Sequence, residues 1–477
     1  MSQQPFKSQH LIGGEWFGDP DGERRNPASP HDVVSSLPAG SLDLLDQAIA
    51  SAVLAADSWA ATSAPTRGEI LYATADVLKS RVDEAAYLLC REEGKTLTEA
   101  RDEVKRSIRM LRFYAGETWR FGGQVLPSMT PHTHLYTSRE PLGVVGIITP
   151  WNFPIAIPVW KIAPALAAGN TVVFKPASAV PGIATLLAQC FVVAGLPSGV
   201  LNLVYGPGEL IGKQLTSDRR VDGISFTGST DVGRQVNTLG ADRMARVQLE
   251  LGGKNAMLAL PDADPSNVAA LTAQSAFGVT GQACTAASRL IVLQENRDRV
   301  LEKLVEYTRG ISVGDGSLEG IGMGPVVSAS QLESNEKHVE RALRDGARLL
   351  TGGTSRGLFM EPTILTDVDP KSEIAQEEVF GPVLSVITVA TLDDAIDVAN
   401  GTKFGLVAGI ITDDLSAALH FVQRSKTGVV KVNRATTGTD VNAPYGGIKE
   451  SSNDAYREQG VTAFEFYSRA KTAYVGF

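Results

Sequence analysis

Four short apolar runs that alternate with helical segments constrain the fold of this chain more than any other feature. The runs are Val144–Ile148, Thr171–Phe174, Leu201–Val204 and Val221–Phe226. Helical segments follow them near residues 157–168, 181–194, 209–216 and 231–239. Strands that alternate with helices form a parallel sheet covered on both faces, with ligands at the carboxyl ends of the strands. The sequence therefore predicts an α/β fold built on a doubly wound parallel sheet.

A second region of the same kind is predicted after Asn255. Its helical segments lie near residues 267–276, 298–308, 330–345 and 392–400, and its strands are Leu290–Leu293 and Val383–Val389. Three further helices are predicted before the first sheet, at residues 42–61, 65–89 and 98–119. Because 477 residues exceed what one core usually contains, two doubly wound domains are expected.

Composition excludes several classes of function. The net charge of −9 argues against binding to nucleic acid or to a membrane surface. No stretch approaches the roughly 20 apolar residues of a membrane span, and the first residues lack the apolar run of a signal peptide. A cytoplasmic location is therefore expected.

The three cysteines fall into two groups. Cys90 and Cys190 lie in apolar helical segments, where a buried structural thiol is typical. Cys284 lies in the loop-like stretch Gly281–Thr285, where packing does not require a thiol, so it is the candidate nucleophile. Three cysteines without a Cys-x-x-Cys pair or a histidine cluster predict neither a disulfide framework nor a metal site.

Two other motifs carry polar groups that suit a reacting thiol. Gln248–Lys254 places Glu250 before a glycine pair, and Thr149–Pro154 places Asn152 where a strand gives way to a helix. A sulfur atom that adds to an aldehyde carbon creates an oxyanion, which needs fixed hydrogen-bond donors. The thioester that follows needs a general base to activate water.

These three motifs resemble those of the aldehyde dehydrogenase superfamily, and the resemblance extends over nearly the whole chain. It implies that Cys284 attacks the aldehyde, that Asn152 supports the oxyanion and that Glu250 activates water. It also implies a nicotinamide cofactor, NAD or NADP.

The cofactor site cannot be assigned from a standard fingerprint, because the chain has neither Gly-x-Gly-x-x-Gly nor a phosphate loop. Phe226–Gly233 instead ends a strand and opens a helix, whose amide groups could bind a pyrophosphate. The resemblance makes this segment the pyrophosphate turn and Glu377–Pro382 the segment that binds the nicotinamide ribose. The implied cofactor residues are Ile148, Trp151, Lys175, Ser178, Gly206, Gly228, Ser229, Leu251, Glu378 and Phe380. Many NAD-preferring relatives carry Glu where Ser178 stands, so serine admits NADP without requiring it.

The substrate is the least constrained part of the reaction. The residues around Asn152 and the stretch Asn433–Asp440 are most similar to the α-ketoglutaric semialdehyde dehydrogenase branch, with succinic semialdehyde dehydrogenases as close relatives. Such substrates, or sulfonated or phosphonated analogues, carry an anionic tail that a guanidinium group can bind. The candidate substrate residues are Arg106, Phe153, Ile157, Trp160, Arg434 and Tyr445. Tyr445 stands where family members usually have Phe, so it could add a polar contact.

Three alternatives remain at this point. The tunnel could be apolar, lined by Phe153, Ile157 and Trp160, and accept a neutral aliphatic or aromatic aldehyde. A coenzyme A-acylating relative commonly lacks the base, so Glu250 counts against that activity. A catalytically silent member would be expected to lose Cys284, Glu250 or Asn152, and all three are present.

The resemblance also implies a domain organisation. Residues 1–122 and 142–252 would form the NAD(P)-binding domain and residues 253–461 the catalytic domain. Residues 123–141 and 462–477 would pair as a small β arm for assembly into a homodimer or homotetramer. Within this arm, Phe464–Tyr467 and Ala473–Val475 are predicted to be strand.

Overall fold

The computed structural model describes residues 4–477 and contains two seven-stranded sheets, each covered by helices, and a separate three-stranded sheet. The α-helices of this part of the chain are α1 (Leu42–Ala61), α2 (Ala64–Ser80), α3 (Val82–Glu93), α4 (Leu97–Glu117), α5 (Ala156–Ala168), α6 (Pro181–Val193), α7 (Lys213–Ser217), α8 (Thr230–Ala241), α9 (Pro265–Phe277), α10 (Arg297–Arg309), α11 (Ala329–Arg344), α12 (Glu373–Gln376), α13 (Leu392–Asn400), α14 (Leu415–Arg424) and α15 (Ala463–Tyr467). The strands are β1 (His10–Ile12), β2 (Glu15–Phe17), β3 (Pro20–Asn26), β4 (Ser29–Pro38), β5 (Val125–Leu126), β6 (Thr133–Pro141), β7 (Val144–Ile148), β8 (Thr171–Lys175), β9 (Leu201–Leu203), β10 (Gly223–Thr227), β11 (Arg246–Glu250), β12 (Asn255–Ala259), β13 (Ala287–Leu293), β14 (Arg348–Thr351), β15 (Ser355–Arg356), β16 (Phe359–Met360), β17 (Thr363–Thr366), β18 (Val383–Val389), β19 (Phe404–Gly405), β20 (Val407–Ile411), β21 (Val429–Val432), β22 (Ile448–Lys449) and β23 (Ser468–Gly476).

The first sheet confirms the predicted doubly wound arrangement. Its strand order is β11-β10-β7-β8-β9-β1-β2, and the five strands from β11 to β9 are parallel. Strands β7, β8 and β10 are buried along their whole length, as expected for a parallel sheet with helices on both faces. The carboxyl ends of the parallel strands therefore share one edge, where Thr227 of β10 lies beside Glu250 of β11.

The second sheet is also mostly parallel, in the order β14-β17-β18-β13-β12-β20-β21, with β14 antiparallel at one edge. The predicted strands at β13 and β18 are confirmed, and so are helices α9, α10, α11 and α13. Strands β12 and β20 were not predicted. Both are five-residue buried runs, and runs this short show no periodicity that separates a strand from a buried helix.

The three-stranded sheet contains β5, β6 and β23. Strands β6 and β23 are antiparallel and pair over nine positions, from Ser468 with Pro141 to Gly476 with Thr133. This confirms that the extended segment after residue 122 pairs with the C-terminal strand. The function of the arm in assembly stays a prediction.

The prediction of a strand at Phe464–Tyr467 is wrong, because this segment is the short helix α15. Phe464, Phe466 and Tyr467 are all buried, whereas a strand would place neighbouring side chains on opposite faces. One helical turn brings these rings to the core beside α5, and the arm strand begins at Ser468.

The helix predicted at residues 65–89 is two helices, α2 and α3, which meet at Arg81. The guanidinium of Arg81 forms a 2.7 Å ion pair with Glu84 in the first turn of α3, where an acidic side chain also suits the helix dipole. The local charge pattern thus favours a new helix start within a continuous apolar period.

Cys90 in α3 and Cys190 in α6 are buried, which confirms their assignment as structural helix residues. Within residues 4–477, no helix combines the length and the apolar character needed to cross a membrane.

Candidate active site

Cys284 lies between two cavities where the two large sheets meet. It follows the 3₁₀ turn Gly278–Gly281 and precedes β13. A cavity of about 380 Å³ opens on one side of Cys284 and a cavity of about 310 Å³ on the other. A group at this position can react with one ligand while facing another.

The Cys284 side chain is partly buried, and its one side-chain hydrogen bond within the described chain is to the Tyr445 hydroxyl, at 3.2 Å. Burial raises the pKa of the Cys284 thiol to about 12, and burial also raises the pKa of Cys90 to about 12. Position between two cavities, rather than acidity, therefore distinguishes Cys284 from the structural cysteines.

Asn152 lies in the turn between β7 and α5 and is held against the Cys284 loop. Its side-chain Nδ2 donates a 3.0 Å hydrogen bond to the carbonyl of Gln282, two residues before the thiol. Its own carbonyl accepts a 2.6 Å hydrogen bond from Lys95 Nζ. The first contact holds the amide nitrogen at the loop that carries the sulfur, as an oxyanion donor requires, and the second fixes the Asn152 backbone.

Glu250 ends β11 and is almost fully buried. Burial, followed by the nearby Glu458 carboxylate, raises the pKa of Glu250 well above its usual range. The pKa is lowered in part by Lys161, Arg457 and the Gly447 amide. Within residues 4–477, neither Glu250 oxygen forms a hydrogen bond of good geometry. A carboxylate of this kind is suited to accept a proton near neutral pH.

The sequence did not single out the buried pair Lys161 and Glu458, which lies beside Glu250. Lys161 Nζ contacts a Glu458 oxygen and donates a 2.8 Å hydrogen bond to Ser225. A signal was available, because Lys161 is the one charged residue of α5, a helix whose side chains are all buried. A lone lysine in such a helix predicts a buried partner.

The smaller cavity contains six of the predicted cofactor residues: Trp151, Gly228, Ser229, Leu251, Glu378 and Phe380. The rings of Trp151 and Phe380 meet edge to face at 5.5 Å. Ser229 precedes α8 without capping it through its side chain, so the first amide groups of the helix are available to an anion.

Glu378 is held at the wall of this cavity by the glycine pair that follows β11. It accepts a 2.9 Å hydrogen bond from the Gly253 amide, and a Cβ atom at Gly252 would collide with its carboxylate. Burial raises the pKa of Glu378 to about 7. Because Glu378 lines the smaller cavity, its carboxylate can accept hydrogen bonds from ribose hydroxyls. The residues that line this cavity fit a nicotinamide dinucleotide.

The other predicted cofactor residues lie outside this cavity but at the same edge of the first sheet. Ile148 and Lys175 are the last residues of β7 and β8, and Gly206 follows β9. Ser178 is exposed in the turn between β8 and α6. Burial lowers the pKa of Lys175 to about 8, although its side chain reaches the adjacent Pro176 carbonyl at 3.1 Å.

Four of the six predicted substrate residues line the larger cavity: Arg106, Phe153, Trp160 and Tyr445. Arg106 Nη2 donates hydrogen bonds to Thr439 and, at 3.1 Å, to Gln459. Its Nε is buried and has no hydrogen-bond partner within residues 4–477. Its guanidinium lies 5.9 Å from the Trp160 ring centroid. Burial lowers the pKa of Arg106 from its ordinary value.

The remaining two substrate candidates lie elsewhere. Ile157 lines the smaller cavity instead. Arg434 is exposed after β21 and is not part of the cavity wall. Arg109 was not predicted, yet it lines the larger cavity one helical turn after Arg106. The three-residue spacing on α4 was the signal that could have identified it.

Within residues 4–477, no group of three or more His, Cys, Asp or Glu side chains is arranged to hold a metal ion. The site instead brings together the Cys284 thiol, the Asn152 amide and the buried Glu250 carboxyl group.

Comparison with known proteins identifies the family. The aldehyde dehydrogenase family model matches residues 18–473. The chain is 44% identical to an alpha-ketoglutarate semialdehyde dehydrogenase of Haloferax volcanii, with 98% of each protein covered. It is 43% identical to a 2,5-dioxopentanoate dehydrogenase of Saccharolobus solfataricus, with 95% of each covered. A betaine aldehyde dehydrogenase of Staphylococcus aureus, solved with NAD⁺, superposes with a TM-score of 0.95 at 32% identity and covers 98% of this chain and 95% of its own. The chain therefore belongs to the aldehyde dehydrogenase family and is an NAD(P)-dependent oxidoreductase.

Proposed function

We propose that the protein oxidises a short semialdehyde with an anionic tail to the carboxylic acid, with 2,5-dioxopentanoate as the first substrate to test. The observation that carries this proposal is the position of Arg106, whose guanidinium lies in the wall of the cavity that contains Cys284. Within residues 4–477 the buried Nε of Arg106 has no hydrogen-bond partner, so a substrate carboxylate can satisfy it. The two semialdehyde dehydrogenases compared above act on substrates of the same class, which supports this proposal.

In the proposed reaction, the Cys284 sulfur adds to the aldehyde carbon, and the Asn152 amide stabilises the resulting oxyanion. The bound nicotinamide supplies the hydride acceptor. Glu250 then removes a proton from the water that cleaves the thioester, releasing the acid and regenerating the thiol. Cys284 and Asn152 line the smaller cavity, and the Glu250 carboxylate is near enough to raise the pKa of the Cys284 thiol, which supports these assignments.

The cofactor side admits both NAD and NADP. A 2′-phosphate would lie near Lys175 and Ser178, at the end of β8, and no acidic side chain occupies the position of Ser178. Serine therefore leaves out the charge repulsion that a glutamate would exert on the phosphate.

Each of the two large sheets is proposed to belong to a domain with its own function. Residues 1–122 and 142–252 would bind the cofactor, with residues 1–3 outside the described part, and residues 253–461 would supply the catalytic thiol. Residues 123–141 and 462–477 would join copies into a homodimer or homotetramer. A cytoplasmic location stays a prediction.

A neutral aldehyde is the second candidate substrate. Phe153 and Trp160 give the larger cavity an apolar wall, which suits an aliphatic or aromatic chain. The distinction between the two classes depends on Arg106.

The test compares 2,5-dioxopentanoate with pentanal, which has the same chain length without the charge. Arg106→Met should lower kcat/KM for the acidic aldehyde by about 10-fold to 100-fold, mainly through KM, because one charged hydrogen-bond pair is lost. Activity on pentanal should change little. Arg112→Met is the control, since Arg112 lies on α4 but outside the cavity and pairs with Asp76 at 2.7 Å. Equal preference for the two aldehydes before and after the change would remove the acidic-substrate proposal.

A further inference from the structure

Tyr445 contacts the reacting sulfur directly. Its hydroxyl lies 3.2 Å from Cys284 Sγ, and its side chain is only 3% exposed. Phenylalanine at this position would keep the aromatic wall of the cavity but remove the contact. The hydroxyl therefore adds a polar contact with the sulfur that the shape of the cavity does not require.

The hydroxyl is held in place from two directions. The backbone of Tyr445 exchanges two 2.7 Å hydrogen bonds with Glu458, which fixes the residue against the C-terminal segment. Its ring packs on Trp160, with 5.9 Å between ring centroids, and on Leu406 and Val407. Because these contacts need no ligand, the hydroxyl reaches the sulfur before substrate arrives.

The negative charges around the sulfur oppose ionisation of the thiol, and the contact with Tyr445 favours it. Glu378, Glu250 and Glu458 face Cys284, and each carboxylate raises the pKa of the thiol. The Tyr445 hydroxyl acts in the opposite direction. Within residues 4–477, no lysine, arginine or histidine forms a hydrogen bond with the sulfur, and the Arg106 guanidinium lies near the Trp160 ring instead.

We propose that Tyr445 is a further catalytic residue, which donates a hydrogen bond from its hydroxyl to the Cys284 sulfur and stabilises the attacking thiolate. A thiolate has no proton to give, so the phenol must be the donor. Burial raises the pKa of Tyr445 well above its ordinary value, so the phenol keeps its proton while the thiol ionises. The inference rests on Cys284 being the nucleophile, as proposed above.

The test uses Tyr445→Phe and measures the alkylation of Cys284 by iodoacetamide across a pH series, with no aldehyde present. Peptide mass spectrometry separates Cys284 from Cys90 and Cys190. The midpoint of the alkylation profile should rise by about one pH unit or more, because a hydrogen bond to a charged group is lost. The first-turnover rate of NAD(P)H formation should fall about tenfold at neutral pH, because a rise of one pH unit in the midpoint lowers the thiolate fraction about tenfold.

Tyr467→Phe is the matched control, since it removes another buried phenol hydroxyl that lies outside the cavity. It should leave the alkylation midpoint unchanged. An unchanged midpoint in Tyr445→Phe would show that the ring only fills space. Faster alkylation would show that the hydroxyl accepts a hydrogen bond from the thiol and restrains it, and either result overturns the proposal.

A second measurement applies if Tyr445→Phe does not fold. Replacing Tyr445 with 3-fluorotyrosine makes the phenol a stronger donor in a ring of nearly the same size, so the midpoint should fall. An unchanged midpoint would again overturn the proposal. Retained turnover in Cys284→Ala would instead remove the nucleophile assignment, so the two failures can be told apart.

Discussion

Burial controls the acid–base properties of single residues in this site. Glu250 is almost fully buried and Cys284 is partly buried, and burial raises the pKa of both groups. For Glu250 the neighbouring Glu458 adds to the shift, while Lys161 partly opposes it. A base with a raised pKa loses its function at a higher pH than an exposed carboxylate does.

Glu250→Gln should separate the two halves of the reaction. Thioester can still form, so rapid mixing should show a burst of NAD(P)H of about one equivalent per site, followed by turnover slowed about 100-fold or more. In the unmodified enzyme, kcat should fall as pH decreases through the raised pKa of Glu250, because the protonated acid cannot accept a proton. This decrease in deacylation rate should be absent in the variant.

Glu295→Gln is the control for that experiment, because Glu295 is exposed in the loop before α10. It should show neither burst nor slowing. Steady turnover at the normal rate by Glu250→Gln would exclude Glu250 as the base.

At the scale of elements, helix α4 connects the two loops that carry Asn152 and Cys284. Glu103 on α4 accepts hydrogen bonds of 3.1 and 3.0 Å from the amides of Ile155 and Ala156, at the start of α5. Glu99, one turn earlier, accepts a 2.7 Å hydrogen bond from the Val279 amide before the thiol. The relative position of the two loops therefore depends on this helix.

Lys95→Met should weaken both the fold and the reaction. Lys95 Nζ lies 2.7 Å from Glu103 and donates to the Asn152 carbonyl, and its side chain is buried. Removing one partner of a buried ion pair costs about 3–5 kcal/mol, because the other charge is left unpaired. Chemical denaturation should show this loss in the free energy of unfolding. The fold-decrease in kcat should exceed the fold-change in KM for the cofactor.

Lys105→Met provides the comparison, since Lys105 is exposed on α4 and its nearest carboxylate, Asp102, is 3.8 Å away. Its stability should stay within about 0.5 kcal/mol of the unmodified protein. Equal stability of both variants would contradict the importance of the buried pair.

At the scale of the whole molecule, the arm leaves apolar side chains exposed. Tyr474, Val475 and Phe477 are 71%, 47% and 84% exposed at the end of β23, and Val125 on β5 is 74% exposed. A strand with apolar residues exposed on both faces is suited to be covered by another chain. This supports the proposal that the arm joins copies of the protein.

Replacing both Tyr474 and Val475 with Asp should lower the molecular mass in solution, measured by light scattering at several concentrations. Charged side chains would have to lose their hydration in the proposed interface, which disfavours assembly. Leu54→Asp is the control, because Leu54 is 84% exposed on α1, away from the arm. An unchanged mass in the double variant would show that the arm does not hold the assembly together.

Local sequence determined most of the elements and the candidate reacting groups. The alternation from Val144 to Leu239 predicts the first parallel sheet because four apolar runs recur in turn with helical segments. Cys284, Asn152 and Glu250 could be identified as candidates because each stands in a short motif whose chemistry needs that side chain. The predicted cofactor residues of the first sheet lie at the ends of its strands because the connections of a parallel sheet bring those ends to one edge.

Contacts between distant segments were decided only by the tertiary structure. The strand predicted at Phe464–Tyr467 is a helix because burial of its rings against α5 outweighs the local alternation. Arg106 lines the cavity while Arg434 is exposed, although both are arginines near predicted substrate segments. The hydrogen bond between Tyr445 and Cys284 joins residues 161 positions apart. No local pattern specifies such a distance, because it depends on how the C-terminal segment packs against both large sheets.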